Sequence, residues 1–252
     1  IRDRVRGLYW PGSIFDVRSD VRSDVRSNVP SAGPSSGPSA GPSAGPVVQT
    51  VMQRFRTPVT LRGGHASLVP LETAHHDDLV QAVKDGALWE RWVTAIPAPQ
   101  NMAAEIARRL ELQELGTMLP FAIIVAGRAV GMTTYMNIDA LNRRVEIGST
   151  WLRQSVQRTP VNTDCKRSLL AYAFETLDCI AVEFRTHRFN HQSVRAIERL
   201  GARLDGVLRN HQINLHPLAP QTLRDTCVYS IIAGEWPTVK AHLDHQLGRR
   251  GG

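Results

Sequence analysis

From Pro30 to Pro46 a proline stands at every fourth position, with only serine, alanine and glycine between ("SAGPSSGPSAGPSAGP"). Each proline removes an amide donor and fixes its own φ, and the intervening residues offer almost no apolar surface. Such a stretch can enter neither a helix nor a sheet, and it cannot line a core. Just upstream, "DVRS" occurs three times in succession from Asp16, a charged tract that reads as solvated low complexity. Residues 1–56 are therefore expected to form a largely disordered extension, leaving residues 57–248 to carry a single fold.

That remainder is long enough for a substantial core, since 42% of the 252 residues are hydrophobic. The chain carries a formal charge of +7, but eight arginines against four aspartates fall within residues 1–56. The rest is only mildly basic, so charge does not call for a nucleic-acid partner, and a nucleic-acid role would rest on the arginine-rich tail alone. Three widely separated cysteines, Cys165, Cys179 and Cys227, fit neither zinc spacing nor a disulfide framework and read as small buried hydrophobes. The histidines include no H-x-x-x-H pair with a carboxylate partner, so no metal is expected. No apolar run nears the roughly 20 residues a membrane span needs. The opening "IRDRVRGLYWPGSIF" lacks an initiator Met and is too polar for a secretory signal, which makes the cytoplasm the expected compartment.

From Pro58 onward, helical and strand patterns alternate. "VTLRGGHASLVPL" reads as two short strands about Gly63-Gly64, and "ETAHHDDLVQAVKD" as an amphipathic helix with Thr73 as N-cap. "APQNMAAEIARRLELQELG" is a second helix, closed by Gly116. Three β-rich runs follow through Leu152, the first two joined at Ala126-Gly127-Arg128. In "NTDCKRSLLAYAFETLDC", Leu169, Leu170, Ala173, Phe174 and Leu177 recur at helical spacing. A strand ("IAVEFRTHR"), a short helix ended by Gly201, two strands and a closing helix with Pro237 near its first turn complete the chain. The expected fold class is α/β of the α+β type: one mixed, mostly antiparallel twisted sheet flanked by helices.

Several segments resemble the GNAT acetyltransferase superfamily when taken in order. They are Glu146-Ile147-Gly148, Tyr172-Ala173-Phe174-Glu175, Asn190, Ser193, Glu198, Gly201, Asp225, Tyr229-Ser230 and Glu235-Trp236. Their spacing is most similar to the ribosomal-protein alanine acetyltransferase-like branch, across roughly residues 58–240. The resemblance implies an N-acetyltransferase that moves the acetyl group of acetyl-CoA to a primary amine, a protein N-terminus or a small molecule. Its partners would be the coenzyme A thioester and that amine, with no membrane, and homodimerisation is left open.

The family's phosphate loop, R-G-x-G-Y-A-T, aligns with Gln157, Arg158, Thr159, Pro160, Val161, Asn162 and Thr163. The resemblance implies pyrophosphate binding there by successive amides and a helix N-terminus. Both glycines are replaced, by Arg158 and Pro160. Proline costs the loop an amide, while Arg158 offers a charge-assisted contact to phosphate in its place. Asn162 or Thr163 is a candidate cap for the following helix. By the same resemblance Thr150, Trp151 and Leu152 lie along the pantetheine arm, on a strand that splays from its neighbour, and Asn190 hydrogen-bonds that arm.

Catalysis by such an enzyme requires deprotonating an ammonium, stabilising an oxyanion and releasing a thiolate. Glu146 occupies the position of the catalytic glutamate in relatives and is the first candidate for base, acting through water. The alternative is a structural carboxylate paired with Arg143, Arg144 or Arg185. The tyrosine that often protonates the thiolate aligns with Ile197, which leaves Ser193 or water for that task. These departures also admit a second reading, a non-catalytic acyl-CoA-binding module. "LWERWVTAIPAP" and the insertion "NLHPLAPQT" are the segments expected near the acceptor, although Trp89 and Trp92 equally fit a core-facing stripe.

Overall fold

The computed structural model describes residues 52–248. The proline repeat and the DVRS tract lie outside the described residues. Phe55, within the segment expected to precede the domain, is buried in the core.

The described residues form one eight-stranded sheet in the order β1-β2-β3-β4-β5-β6-β8-β7. The strands are β1 (Leu61–Arg62), β2 (Ser67–Pro70), β3 (Met118–Val125), β4 (Arg128–Asp139), β5 (Arg144–Leu152), β6 (Ala181–His187), β7 (Arg203–Ile213) and β8 (Leu223–Ile232). Every neighbouring pair is antiparallel except β5–β6, which is parallel. That exception follows from the connection: a helix must carry the chain from the end of β5 back to the start of β6. The β3–β4 hairpin turns through Ala126 (φ 49°) and Gly127 (φ 77°), so the loop is two residues long and Arg128 already belongs to β4. Positive φ at both central positions gives a turn whose twist matches the strands.

The helices are α1 (His76–Lys84), α2 (Met102–Glu114), α3 (Val161–Ala171), α4 (His191–Arg199) and α5 (Trp236–Gly248). Two of the expected caps are corrected. A 3₁₀ turn at Thr73–His75 precedes α1 with Glu72 at its cap position, so Thr73 lies inside the turn. Pro160 sits at the cap of α3, and Asn162 and Thr163 fall in its first turn, so neither side chain caps it. Helix α3 runs into a π turn at Tyr172–Thr176, where Phe174 stacks on Trp236 of α5 at 5.4 Å rather than entering the deepest core.

Two apolar clusters cover the two faces of the sheet. The larger joins Val145, Ile147, Leu169, Leu170, Val182 and Phe184 to the α3–α5 side. The smaller joins Met132 and Trp151 to Leu79, Val83, Met102 and Ile106 of α1 and α2. Along β5 the facing residues change parity. Val145 and Ile147 point to the larger cluster, but beyond Ser149 it is Leu152 that does so, while Trp151 joins the smaller one. The cause is a one-residue bulge: Met132 pairs with Trp151 whereas Thr134 pairs with Gly148, and Ser149 between them has φ 45°. All three cysteines are buried and unpaired, as their spacing suggests. Among the described residues, no helix is long and apolar enough to cross a membrane.

Candidate active site

Parallel pairing between β5 and β6 is confined to Arg144↔Ala181, Val145↔Val182 and Glu146↔Glu183. Beyond that register the strands part, and residues 147–152 run away from residues 184–187. The amides of β5 that face β6 beyond Glu146 are thus left without a strand partner in this ladder. Backbone donors that are not consumed by a sheet are available to a carbonyl oxygen entering the fork.

Glu146 stands at the apex of the fork and is only 5% exposed. Asn137 Nδ2 donates to its Oε2 at 2.7 Å, and Arg185 Nε lies 3.5 Å from the same oxygen. Burial raises its pKa above the usual carboxylate range, with Arg185 and Asn137 pulling against that shift. Of the arginines considered from sequence, Arg185 is the one beside Glu146. Arg144 and Arg185 both hold Glu183, while Arg143 pairs with Asp178. Gly148 makes room for the carboxylate, since a Cβ there would lie 2.9 Å from Glu146 Oε1 and 2.7 Å from Met136 Sδ.

The glycine-free loop runs from the end of β5 into α3. Arg158 takes φ 64°, the left-handed conformation that glycine adopts without strain, and its side chain is exposed. An arginine has therefore kept the backbone turn that glycine usually supplies. Thr159 Oγ1 donates to the carbonyl of Val156 at 2.7 Å, which closes the loop internally. Helix α3 begins at Val161, so the amides of Asn162 and Thr163 have no intrahelical acceptor. The Thr163 hydroxyl is less available, because Arg199 of α4 donates to it at 3.1 Å.

Asn190 caps α4, its Oδ1 accepting the Ser193 amide at 3.1 Å. Its neighbour Gln192 had not stood out in the sequence. Gln157 Nε2 donates to the Leu152 carbonyl at 2.7 Å, Gln192 Nε2 donates to Gln157 Oε1 at 3.2 Å, and Arg91 donates to Gln192 Oε1 at 3.0 Å. This chain of amides ties α4 to the end of β5 beside the fork. Ile197, at the position of the usual tyrosine, packs on the larger core.

Thr150, Trp151 and Leu152 do not share one surface. Trp151 and Leu152 enter opposite cores, so their contribution to a ligand in the fork is backbone only. Thr150 Oγ1 instead lies 2.7 Å from Thr133 Oγ1 and accepts from Lys166 Nζ at 2.6 Å. Lys166 also donates to Thr133 Oγ1 at 3.0 Å and is buried, which pushes its pKa down to about 8. A lysine in the first two turns of an ordinary amphipathic helix gave no sign of this. The β5 bulge creates it by turning Thr150 toward α3.

The two segments expected near an acceptor do meet. His216 Nε2 lies 2.9 Å from the carbonyl of Trp89, and Asn214 Nδ2 donates to the carbonyl of Trp92 at 3.2 Å. The β7–β8 loop is thereby tied to the stretch between α1 and α2. Under the junction is a cavity of about 290 Å³ whose walls include Trp92, His187, Phe189, Leu218 and Leu223. The two tryptophans divide their roles: Trp89 packs on the smaller core, and Trp92 is 38% exposed at the cavity. No group of three or more potential metal ligands is found among the described residues.

Residues 66–203 match the acetyltransferase (GNAT) domain family. A Bacillus subtilis (strain 168) protein provisionally named as the ribosomal N-acetyltransferase YdaF is 28% identical over 116 residues, 45% of this chain. The match spans 59% of that protein's length. A provisional acetyltransferase from T. thermophilus superposes with TM-score 0.66 at 30% identity, covering 76% of this chain and 98% of that one. Mycobacterium smegmatis RimJ, solved with CoA-disulfide, has TM-score 0.65 over 77% of this chain and 97% of its own. At 22% identity it shows the shared fold alone.

Proposed function

This chain belongs to the GNAT acetyltransferase family, and from that premise we propose that it transfers the acetyl group of acetyl-CoA to a primary amine held beside Glu146. The observation that carries the reading is the β5–β6 fork, whose pairing stops at the buried carboxylate. The thioester carbonyl would enter the fork and accept from the β5 amides freed there. The pyrophosphate would lie against the amides of Asn162 and Thr163, where the start of α3 also favours an anion. The exposed Arg158 guanidinium would supplement them.

Glu146 would take the proton of the amine, directly or through water. Its raised pKa brings it nearer to working pH and makes it a better proton acceptor once ionised. Nitrogen then attacks the carbonyl carbon, the C–S bond breaks, and the thiolate collects its proton from water or Ser193. Ser193 is partly exposed near the start of α4, and its amide is already engaged by Asn190. A non-catalytic acyl-CoA-binding role is favoured only by Ile197 and the glycine-free loop. Thiol release from acetyl-CoA in the presence of a panel of primary amines tests the choice. Stoichiometric release with an N-acetylated product supports transfer. Tight coenzyme binding with no product from any amine would leave the binding role standing.

A further inference from the structure

The bulge in β5 is held from the side of α2 by a residue that neither coenzyme binding nor proton transfer uses. Arg109, the second of two adjacent arginines in α2, is only 2% exposed. Its Nε donates to Glu105 Oε1 at 2.7 Å, and its Nη2 donates to the carbonyl of Ser149 at 3.3 Å. Nη1 is buried and has no hydrogen-bond partner among the described residues. A buried guanidinium that leaves a donor unspent works against the fold rather than for it. Glu105 does not depend on it either, because Arg108 already grips both carboxylate oxygens, at 2.8 and 2.9 Å. Stability does not account for Arg109.

The contact with Ser149 does. Ser149 has φ 45°, a left-handed conformation that a residue with a Cβ keeps only where its surroundings impose it. The Ser149–Thr150 peptide is trans, so the Thr150 N–H points opposite to the Ser149 carbonyl. Arg109 draws that carbonyl toward α2, which packs over β3, and the N–H is thereby turned to the other side. Strand alternation gives the same direction independently. The Arg153 amide donates to Val130 of β4, so the amides of Arg153 and Trp151 face β4 and that of Thr150 faces the fork.

We infer that Arg109 is a positioning residue for acetyl transfer: by holding the Ser149 carbonyl it keeps the Thr150 N–H turned into the fork, where it donates to the thioester carbonyl oxygen. The inference rests on the acetyl-transfer reading and deepens it. Negative charge builds on that oxygen as the amine attacks, so a fixed donor counts for more in the transition state than in coenzyme binding. Loss of Arg109 therefore reads in kcat. Affinity for coenzyme A, which has no acetyl carbonyl, is spared.

The aim of the Thr150 amide is tested without turnover by titrating the full chain, in the absence of amine, with acetyl-CoA and with coenzyme A. Acetyl-CoA is expected to move the Thr150 amide proton downfield in ¹H–¹⁵N NMR spectra, and coenzyme A to move it much less. Acetyl-CoA labelled with ¹³C at its carbonyl should absorb in the infrared at lower frequency when bound than when free. In Arg109→Met that band should return toward the free position. With an amine that the wild type acetylates, Arg109→Met is expected to lower kcat about 10–100-fold, less than the roughly 10²–10³-fold for removing an oxyanion donor outright. Coenzyme A affinity should stay unchanged. Arg109→Lys, which keeps a donor, should regain part of the rate. Ser149→Gly in the Arg109→Met background should also regain part, because glycine takes φ 45° without being held there. A Thr150 amide that acetyl-CoA does not move overturns the inference, and this wild-type result decides even where Arg109→Met fails to fold. A carbonyl band and kcat that Arg109→Met leaves unaltered also overturn it, as does a parallel loss of coenzyme A affinity and kcat. A Thr150 shift and a lowered band that depend on Arg109, with no amine acetylated, would instead sink the transfer reading and leave the role of Arg109 standing.

Discussion

Glu146 and Lys166 are buried on opposite faces of the same stretch of sheet, yet they meet burial differently. Glu146 lies on the face of α1 and α2, with Asn137 donating to it and Arg185 3.5 Å away. Lys166 lies on the face of α3, and its hydrogen bonds go to two threonine hydroxyls. Desolvation drives each toward neutrality, raising the pKa of the acid and lowering that of the amine. The acid stands at the apex of a fork that can admit a ligand, while the amine is enclosed by β4, β5 and α3. An identical physical cause thus suits one group to the proposed proton transfer and sets the other against stability.

Breaking the Glu146 side should produce the largest effect. Glu146→Gln is expected to lower the acetylation rate at neutral pH by about 10²–10⁴-fold with coenzyme affinity nearly unchanged. It should also raise thermal stability at neutral pH. The folded pKa lies above the unfolded one, so Glu146 favours the fold while protonated and loses that contribution as pH rises through the folded pKa. The stability gain should disappear at acid pH. An unchanged rate would make Glu146 a structural carboxylate.

The Lys166 side should answer in stability rather than rate. With a folded pKa of about 8 against an ordinary 10.5, the unfolded chain binds more protons between those values, so stability rises with pH across that window. Lys166→Met should remove that rise and stabilise the protein at pH 7 by up to about 3 kcal/mol. The hydroxyls of Thr133 and Thr150 still have each other at 2.7 Å. Urea denaturation at several pH values measures this. Destabilisation at pH 7 would mean that the lysine's hydrogen bonds outweigh the cost of burying it.

A third charged group, Arg158, sharpens the contrast because it is exposed where Lys166 is enclosed. Arg158→Ala should weaken coenzyme A by about 1–3 kcal/mol in calorimetry and pantetheine, which lacks the pyrophosphate, much less. Equal losses for both ligands, or none, would remove Arg158 from the phosphate site. The smallest effect is expected from Arg158→Gly. It should repeat the affinity loss while raising stability by about 1 kcal/mol, because glycine adopts φ 64° without strain. Unaltered or lower stability would show that the arginine side chain compensates for its backbone.

The order of strands and helices was legible because each element carries its own period. The β-rich runs of β3–β5 and the 3–4 spacing of Leu169, Leu170, Ala173 and Leu177 are local properties that tertiary packing reinforced. Glu146 was legible as a candidate because it stands in a short ordered pattern, Glu-Ile-Gly, whose glycine has a physical task beside the carboxylate. The helix caps were misplaced by one to three residues, since a 3₁₀ turn or a proline can begin a helix without a side-chain cap.

What the amino-acid sequence determined by itself is the element order and the residues available near the loop. Only the tertiary structure decided which way those residues point. The bulge at Ser149 reverses the facing of everything after it on β5, sending Thr150 to Lys166 and Trp151 to the opposite core. The end of β5–β6 pairing at Glu146 and the meeting of Trp92 with His187 join residues about 40 and 95 positions apart, as the pairings Glu146↔Glu183 and Trp92–His187 show. No local period encodes a bulge or a fork, because both arise from how neighbouring strands share hydrogen bonds and twist.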